Sequence, residues 1–202
     1  ARRCAECVDY VFFGNERWSE FRLSAQVMAE HVATVCKVSE LLSTILPVAR
    51  DVVIAALSQV RLPGRFEYWR NPCHCVFDVA HNPQAAGKLV KRLGDAFSGY
   101  RFVAVVAMRD TKDIVETCRP LLSLINQWYT ATLPSRHGAT QQQMLTALTS
   151  IGADVVHGCG SVEGAMSDAI QYASSLDKTL IVTFGSFSTV AIAQQYCLKI
   201  RN

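Results

Sequence analysis

At 202 residues the chain suits one large domain or one domain plus part of another, and half of its residues are hydrophobic. A sizeable core is therefore available, and the composition excludes a disordered chain. A net charge of +3, with no Lys/Arg-rich run, leaves no electrostatic footprint for nucleic acid or an anionic membrane. No apolar run approaches the roughly 18 residues of a membrane span.

The first residues, Ala1-Arg2-Arg3-Cys4-Ala5-Glu6-Cys7, carry neither an initiator Met nor the apolar segment of a signal peptide, so the chain reads as starting inside a longer protein. Residues 8 to 23 predict two short strands, Val8–Phe13 and Phe21–Leu23, around a turn at Gly14-Asn15. Two helices follow. Ala25–Leu46 has Val27, Met28, Val32, Val35, Val38, Leu41, Leu42 and Ile45 at helical spacing, with Pro47 ending it. Val48–Val60 places Val52, Val53, Ala56, Leu57 and Val60 on one face.

After Leu62-Pro63-Gly64 the pattern changes. Strand-like runs at Cys75–Val79, Phe102–Met108, Gln127–Thr132, Asp154–His157 and Thr179–Phe184 alternate with amphipathic helices. The helices are Pro83–Phe97, Lys112–Leu124, Thr140–Ser150, Ser161–Ser174 and Ser188–Ile200, the last with Ser188 or Thr189 as its N-cap. Such alternation with short connections predicts an α/β domain over residues 66–202, a mostly parallel, doubly wound sheet of Rossmann-like type. Residues 1–65 read as the helical tail of a preceding domain.

Eight cysteines raise the question of metal or disulfides. Cys4 and Cys7 with Cys73, His74 and Cys75 could supply zinc ligands, but the second pair departs from the usual C-x-x-C spacing. Cys36, Cys118, Cys159 and Cys197 are scattered, and most of them lie in apolar patterns, as small core residues do. Reduced thiols in a cytoplasmic protein are the expectation.

The residue types with chemical potential gather at Phe77-Asp78-Val79-Ala80-His81-Asn82-Pro83. A carboxylate ends a strand, an imidazole and an amide follow, and Pro83 opens a helix at the position where its missing N–H costs nothing. Ligands of open α/β sheets bind at such carboxyl ends. Asp78 could accept ribose hydroxyls, and Arg65 could fork onto phosphate oxygens. Equally, Asp78 could cap the helix and His81 could satisfy a turn. No G-x-x-x-x-G-K-[ST] loop occurs, and Gly158-Cys159-Gly160-Ser161-Val162-Glu163-Gly164 places its last glycine one residue late for a dinucleotide fingerprint.

Leu62-Pro63-Gly64-Arg65-Phe66 together with residues 77–83 resembles the second half of the folylpolyglutamate synthase/dihydrofolate synthase family of the Mur ligase superfamily. Three later stretches resemble it in order: Ala107-Met108-Arg109-Asp110-Thr111-Lys112-Asp113, Arg136-His137-Gly138-Ala139 and Gly185-Ser186-Phe187-Ser188-Thr189-Val190. The resemblance implies the C-terminal part of an ATP-dependent amide ligase, with residues 1–65 as the end of its central ATP-binding domain. In that family MgATP phosphorylates a pteroate or folate carboxylate, and the amine of L-glutamate then displaces phosphate. It further implies Arg65 and Asp78 at the nucleotide, His81 and Ser186 at glutamate, and Asn82 shaping their loop. No catalytic or metal-ligating residue is implied here, since the P-loop and the Mg²⁺ ligands belong to the other half. The chain alone is expected to be inactive, and the enzyme to be a cytoplasmic monomer acting on ATP, L-glutamate and dihydropteroate or tetrahydrofolate.

Lys112 and Asp113 could pair, Arg136 could bind a carboxylate or merely be a surface arginine, and the family's nucleotide-contacting asparagine is replaced by Glu30 or His31. Two other readings remain: a peptidoglycan-type ligase of the same superfamily, and a non-catalytic nucleotide-binding module.

Overall fold

The computed structural model describes residues 7–10, 21–24 and 29–201. The chain divides into two compact units, Ala1–Arg65 and Phe66–Asn202. In the first, β1 (Cys7–Tyr10) pairs antiparallel with β2 (Phe21–Ser24), while the expected turn at Gly14-Asn15 lies outside the described residues. The two helices are shorter than their apolar patterns predict: α1 is Ala29–Leu42 and α2 is Arg50–Gln59. Val32 and Cys36 of α1 meet Val53 and Leu57 of α2 in a small core. Val35, Val38, Leu41 and Ile45, which belong to the same helically spaced apolar set as Val32, are exposed.

The second unit is a six-stranded sheet in the order β3-β4-β8-β5-β6-β7. Its strands are β3 (Glu67–Trp69), β4 (Cys75–Phe77), β5 (Arg101–Val106), β6 (Ile125–Thr130), β7 (Val156–Gly158) and β8 (Thr179–Phe184). All neighbours run parallel except β3, which pairs antiparallel with β4 at the edge. The sheet is thus mostly parallel and doubly wound, as expected. The edge strand was not anticipated, because Glu67-Tyr68-Trp69 is three half-buried residues with no apolar run.

Helices cover both faces, which is why the central strands read as continuous apolar runs instead of alternating ones. On one side α3 (Pro83–Ala96), α4 (Ile114–Cys118) and α5 (Gln141–Ser150) bury Leu89, Leu93, Cys118, Met144 and Leu148 against Val76, Ala104, Trp128 and Val182. On the other, α6 (Val162–Ser174) and α7 (Phe187–Ile200) bury Ala165, Met166, Ala169, Ala193 and Cys197 against Phe77, Val103, Val105 and Ile181.

Three predicted helix boundaries are corrected, each for a local reason. The helix expected over Lys112–Leu124 is only α4, continued by a 3-10 turn at Arg119–Leu121. Pro120 has no N–H to give an i−4 carbonyl and so ends the α-helical ladder. Asp113 caps α4 by accepting from Glu116 N at 2.9 Å, and this capping replaces the suggested pairing with Lys112. The last helix begins at Phe187, with Ser186 as N-cap instead of Ser188 or Thr189; its Oγ accepts from Thr189 N at 3.0 Å.

Leu93 is fully buried between α3 and the sheet. Leu93→Ala should therefore destabilise this unit by about 2–5 kcal/mol, read as a lower urea midpoint at unchanged slope.

Candidate functional site

Four loops leave the carboxyl ends of β4, β5, β6 and β8, and each is fixed by hydrogen bonds that its own sequence supplies. After β4, Asp78 N still donates to Thr183 O at 2.9 Å, the last rung of the ladder with β8. The Asp78 side chain is buried at 8% exposure, and it does not cap the helix. Its Oδ2 accepts from Phe66 N at 2.9 Å and its Oδ1 from Ala80 N at 2.8 Å. Phe66 has φ +48°, a left-handed conformation that a bulky residue adopts only when its surroundings enforce it. The Asp78 bond, the Arg92 guanidinium 3.9 Å above the Phe66 ring and the neighbouring Phe97 ring provide that enforcement.

Asn82 is the N-cap of α3, its Oδ1 accepting from Ala85 N at 2.9 Å, and Pro83 sits in the first turn as the sequence predicts. His81 is half-buried with Nδ1 2.8 Å from Val79 O. A carbonyl only accepts, so Nδ1 carries the proton, and Nε2 of the neutral ring is left as an acceptor.

The other three loops enclose a cleft of about 290 Å³ lined by Arg109, Leu133, Ser135, Arg136, His137, Ser186 and Ser188. The loop after β6 is stitched to the loop after β5: Asp110 N donates to His137 O and Ala139 N to Met108 O, both at 2.9 Å. The loop after β8 is tied to the same strand end, since the buried Thr189 Oγ1 donates to Ala107 O at 2.7 Å. Two glycines permit this closeness. A Cβ at Gly138 would lie 1.8 Å from Leu133 O, and one at Gly185, where φ is +119°, would lie 2.3 Å from Ala107 O.

Arg109, Arg136 and His137 are exposed at this mouth, and among the described residues none of them forms an ion pair with a carboxylate. The N-terminus of α7 lies beside them, with Ser186 and Ser188 in its first turn. Two guanidinium forks, the Ser188 hydroxyl and a helix N-terminus form an environment for a small anion, and one with more than a single carboxylate.

Of the residues expected to act, the cleft contains Ser186. His81 and Asn82 follow β4, the strand adjacent to β8, and are not in its lining. Arg65 closes the turn Leu62–Arg65 of the first unit, donating its N–H to Leu62 O at 3.1 Å. Arg136 lines the cleft, and Arg109, Ser135, His137 and Ser188 join it. By sequence Arg136 is already a candidate for a carboxylate, whereas Arg109, Ser135, His137 and Ser188 have no role assigned; only the β5–β6 loop pairing brings Arg109 and Arg136 into one place.

The remaining motifs have structural roles. The turn at Gly158–Gly160 is filled by Gln141, whose Oε1 accepts from Gly160 N at 2.6 Å. His74 is engaged by the Tyr68 hydroxyl, and Cys4 lies outside the described residues.

Comparison with known proteins gives a match to the family model "Mur ligase, glutamate ligase domain" over residues 64–187. The dihydrofolate synthase/folylpolyglutamate synthase of Escherichia coli (strain K12) is 35% identical over 146 residues, which is 72% of this chain and 33% of that protein. The chain is also similar to solved structures. E. coli FolC in complex with DHPP and ADP has a TM-score of 0.80 at 29% identity, covering 93% of this chain and 43% of that one. A bifunctional folylpolyglutamate synthase/dihydrofolate synthase with Mn, AMPPNP and L-glutamate bound has a TM-score of 0.77 at 31% identity, covering 90% and 42%. The chain therefore spans a third to under half of these relatives.

The two roles after β4 differ in cost. Asp78→Ala leaves two buried amides unpaired and should destabilise the unit by about 2–5 kcal/mol. Asn82→Ala removes one exposed cap and should cost about 1 kcal/mol. Denaturant unfolding of the two variants side by side gives the order.

Proposed function

The chain belongs to the Mur ligase family, glutamate ligase domain, and on that premise we propose that it supplies the amino-acid-binding part of an ATP-dependent carboxylate–amine ligase that adds L-glutamate to dihydropteroate or a folate. The observation that carries this reading is the cleft with Arg109, Arg136 and His137 beside the N-terminus of α7. At about 290 Å³ it lies at the lower end of small-molecule sites, which run roughly 300–1,000 Å³, and so suits an amino acid better than a pterin.

L-Glutamate carries two carboxylates and an ammonium. The two guanidinium groups pair with the carboxylates and the Ser188 hydroxyl adds a hydrogen bond, while Ser186, whose own proton goes to Thr189 Oγ1, holds the N-terminus of α7 beside them. The free acceptor Nε2 of His81 suits the ammonium and can take its proton as the amine is readied for attack. Asn82 sets the direction in which α3 leaves this loop. Holding the amine against an activated carboxylate away from water is the contribution required of this unit, because an acyl phosphate in water is lost to hydrolysis.

Arg65 and Asp78 belong to the nucleotide side in this proposal: Arg65 through its fork to phosphate, Asp78 by holding the amides of Phe66 and Ala80 in place. No cluster of His, Cys, Asp and Glu among the described residues is arranged to hold a metal ion, and the sequence has no P-loop. The P-loop contacts to the nucleotide phosphates and the ligands of the Mg²⁺ that accompanies ATP would then come from other parts of a full-length ligase, with Arg65 adding its fork and residues 1–65 ending the ATP-binding domain. In the same reading the whole enzyme works as a cytoplasmic monomer. Among the described residues, no helix is long and apolar enough to cross a membrane.

The test is ADP release with MgATP, L-glutamate and either dihydropteroate or tetrahydrofolate, with and without a separately expressed P-loop half from a relative. The chain alone should be silent, and the mixture should release ADP in a glutamate-dependent manner. In that mixture Arg136→Ala should raise the KM for glutamate about 10- to 100-fold, the loss of one charge-assisted pair, and leave the KM for ATP nearly unchanged. Turnover by the chain alone, or an equal effect on both substrates, contradicts the assignment.

A further inference from the structure

At the end of β4 remote from the cleft, three thiols converge. Cys73 lies in the β3–β4 connection, Cys75 opens β4, and Cys197 sits near the end of α7. The Sγ atoms of Cys73 and Cys75 are 3.4 Å apart. Cys75 and Cys197 are fully buried, whereas Cys73 is only half-buried, so one sulfur of the close pair is reachable from solvent. Disulfide bonding needs a separation of about 2.05 Å, so the two sulfurs must close by a little over an ångström from this contact. We propose that Cys73 and Cys75 are a redox-active pair that closes to a reversible disulfide under a peroxide-class oxidant.

The chemistry balances without another reactant. The Cys73 thiolate attacks a peroxide oxygen; an S–O bond forms, the O–O bond breaks, and the departing hydroxide takes a proton to become water. Cys75 sulfur then attacks the Cys73 sulfenic acid, forming the S–S bond and releasing a second water. Two thiols are oxidised by two electrons, and hydrogen peroxide is reduced to two waters. Cys197 packs against Cys75 behind this pair. Its contact with Cys75 and the nearby Arg201 charge hold its own pKa below the ordinary value, while the Cys197 and Cys73 contacts and burial push Cys75 up.

Sequence makes the test clean. Cleavage after Arg70 and Lys88 isolates Cys73 and Cys75 in one peptide, Asn71–Lys88, while cleavage after Lys178 and Lys199 isolates Cys197 in another, Thr179–Lys199. In a chain carrying Cys4→Ser and Cys7→Ser, a slight excess of hydrogen peroxide should remove two hydrogens from peptide 71–88, and dithiothreitol should restore them. Cys73→Ser, a change at the accessible position that leaves the core intact, should abolish the mass loss. Cys197→Ala should leave the two-hydrogen loss on peptide 71–88 in place. A cross-linked species joining peptides 71–88 and 179–199 would overturn the proposal. So would sulfinic acid on Cys73 with no disulfide, or no mass change at all.

Discussion

The buried carboxylate of Asp78 is the constraint on which the domain's entry and one side of its site both depend. A carboxylate at the end of a parallel strand is costly to bury unless its oxygens are satisfied, and here each accepts a backbone N–H. One of those amides belongs to Phe66, where the second compact unit starts, and the other to Ala80, one residue before His81. A single side chain thus holds the first residue of the unit in its left-handed conformation and sets the path of the loop that presents His81 and Asn82. The role is architectural at the level of contacts. It acts on function by fixing what surrounds it.

Across the sheet, the cleft depends on close backbone approach. Gly138 and Gly185 stand where any Cβ would collide with a carbonyl, and Thr189 closes the remaining gap with a buried hydroxyl bond to Ala107. This lets loops from β5, β6 and β8 share one mouth. The guanidinium groups of Arg109 and Arg136 and the imidazole of His137, otherwise dispersed along the chain, then face one space beside the positive end of a helix dipole. The strand order explains the location: β8 is inserted last between β4 and β5, so its loop lies between the loop bearing His81 and the loop bearing Arg109.

Much of this was legible in the residues. Continuous apolar runs such as Phe102–Met108 and Thr179–Phe184 signal strands buried on both faces, and Asn82-Pro83 marks a helix start by capping chemistry alone. What stayed hidden depended on tertiary pairing. The three-residue edge strand Glu67–Trp69 has no pattern of its own and exists because β4 offers it an edge. Asp78 and Asn82 are both competent caps by type, and only the approach of Phe66 assigns Asp78 elsewhere. Likewise Arg109 and Arg136 lie 27 positions apart, and only the bridge between Arg109 and Gly138 brings them together. Helical spacing alone does not tell which apolar residues of α1 find a partner: within the described residues of that helix only Val32 and Cys36 are buried.

The central claim is that the loops after β5, β6 and β8 form one site for a small dicarboxylate amino acid. Titrating the isotopically labelled chain with L-glutamate and following backbone amide shifts tests it directly. The account predicts that saturable shifts concentrate at Arg109, at Ser135 to His137 and at Ser186 to Ser188, with D-aspartate and succinate weaker at the same amides. Shifts centred instead on the turn at Gly158 to Ser161, or no saturable shift at these loops, would contradict it.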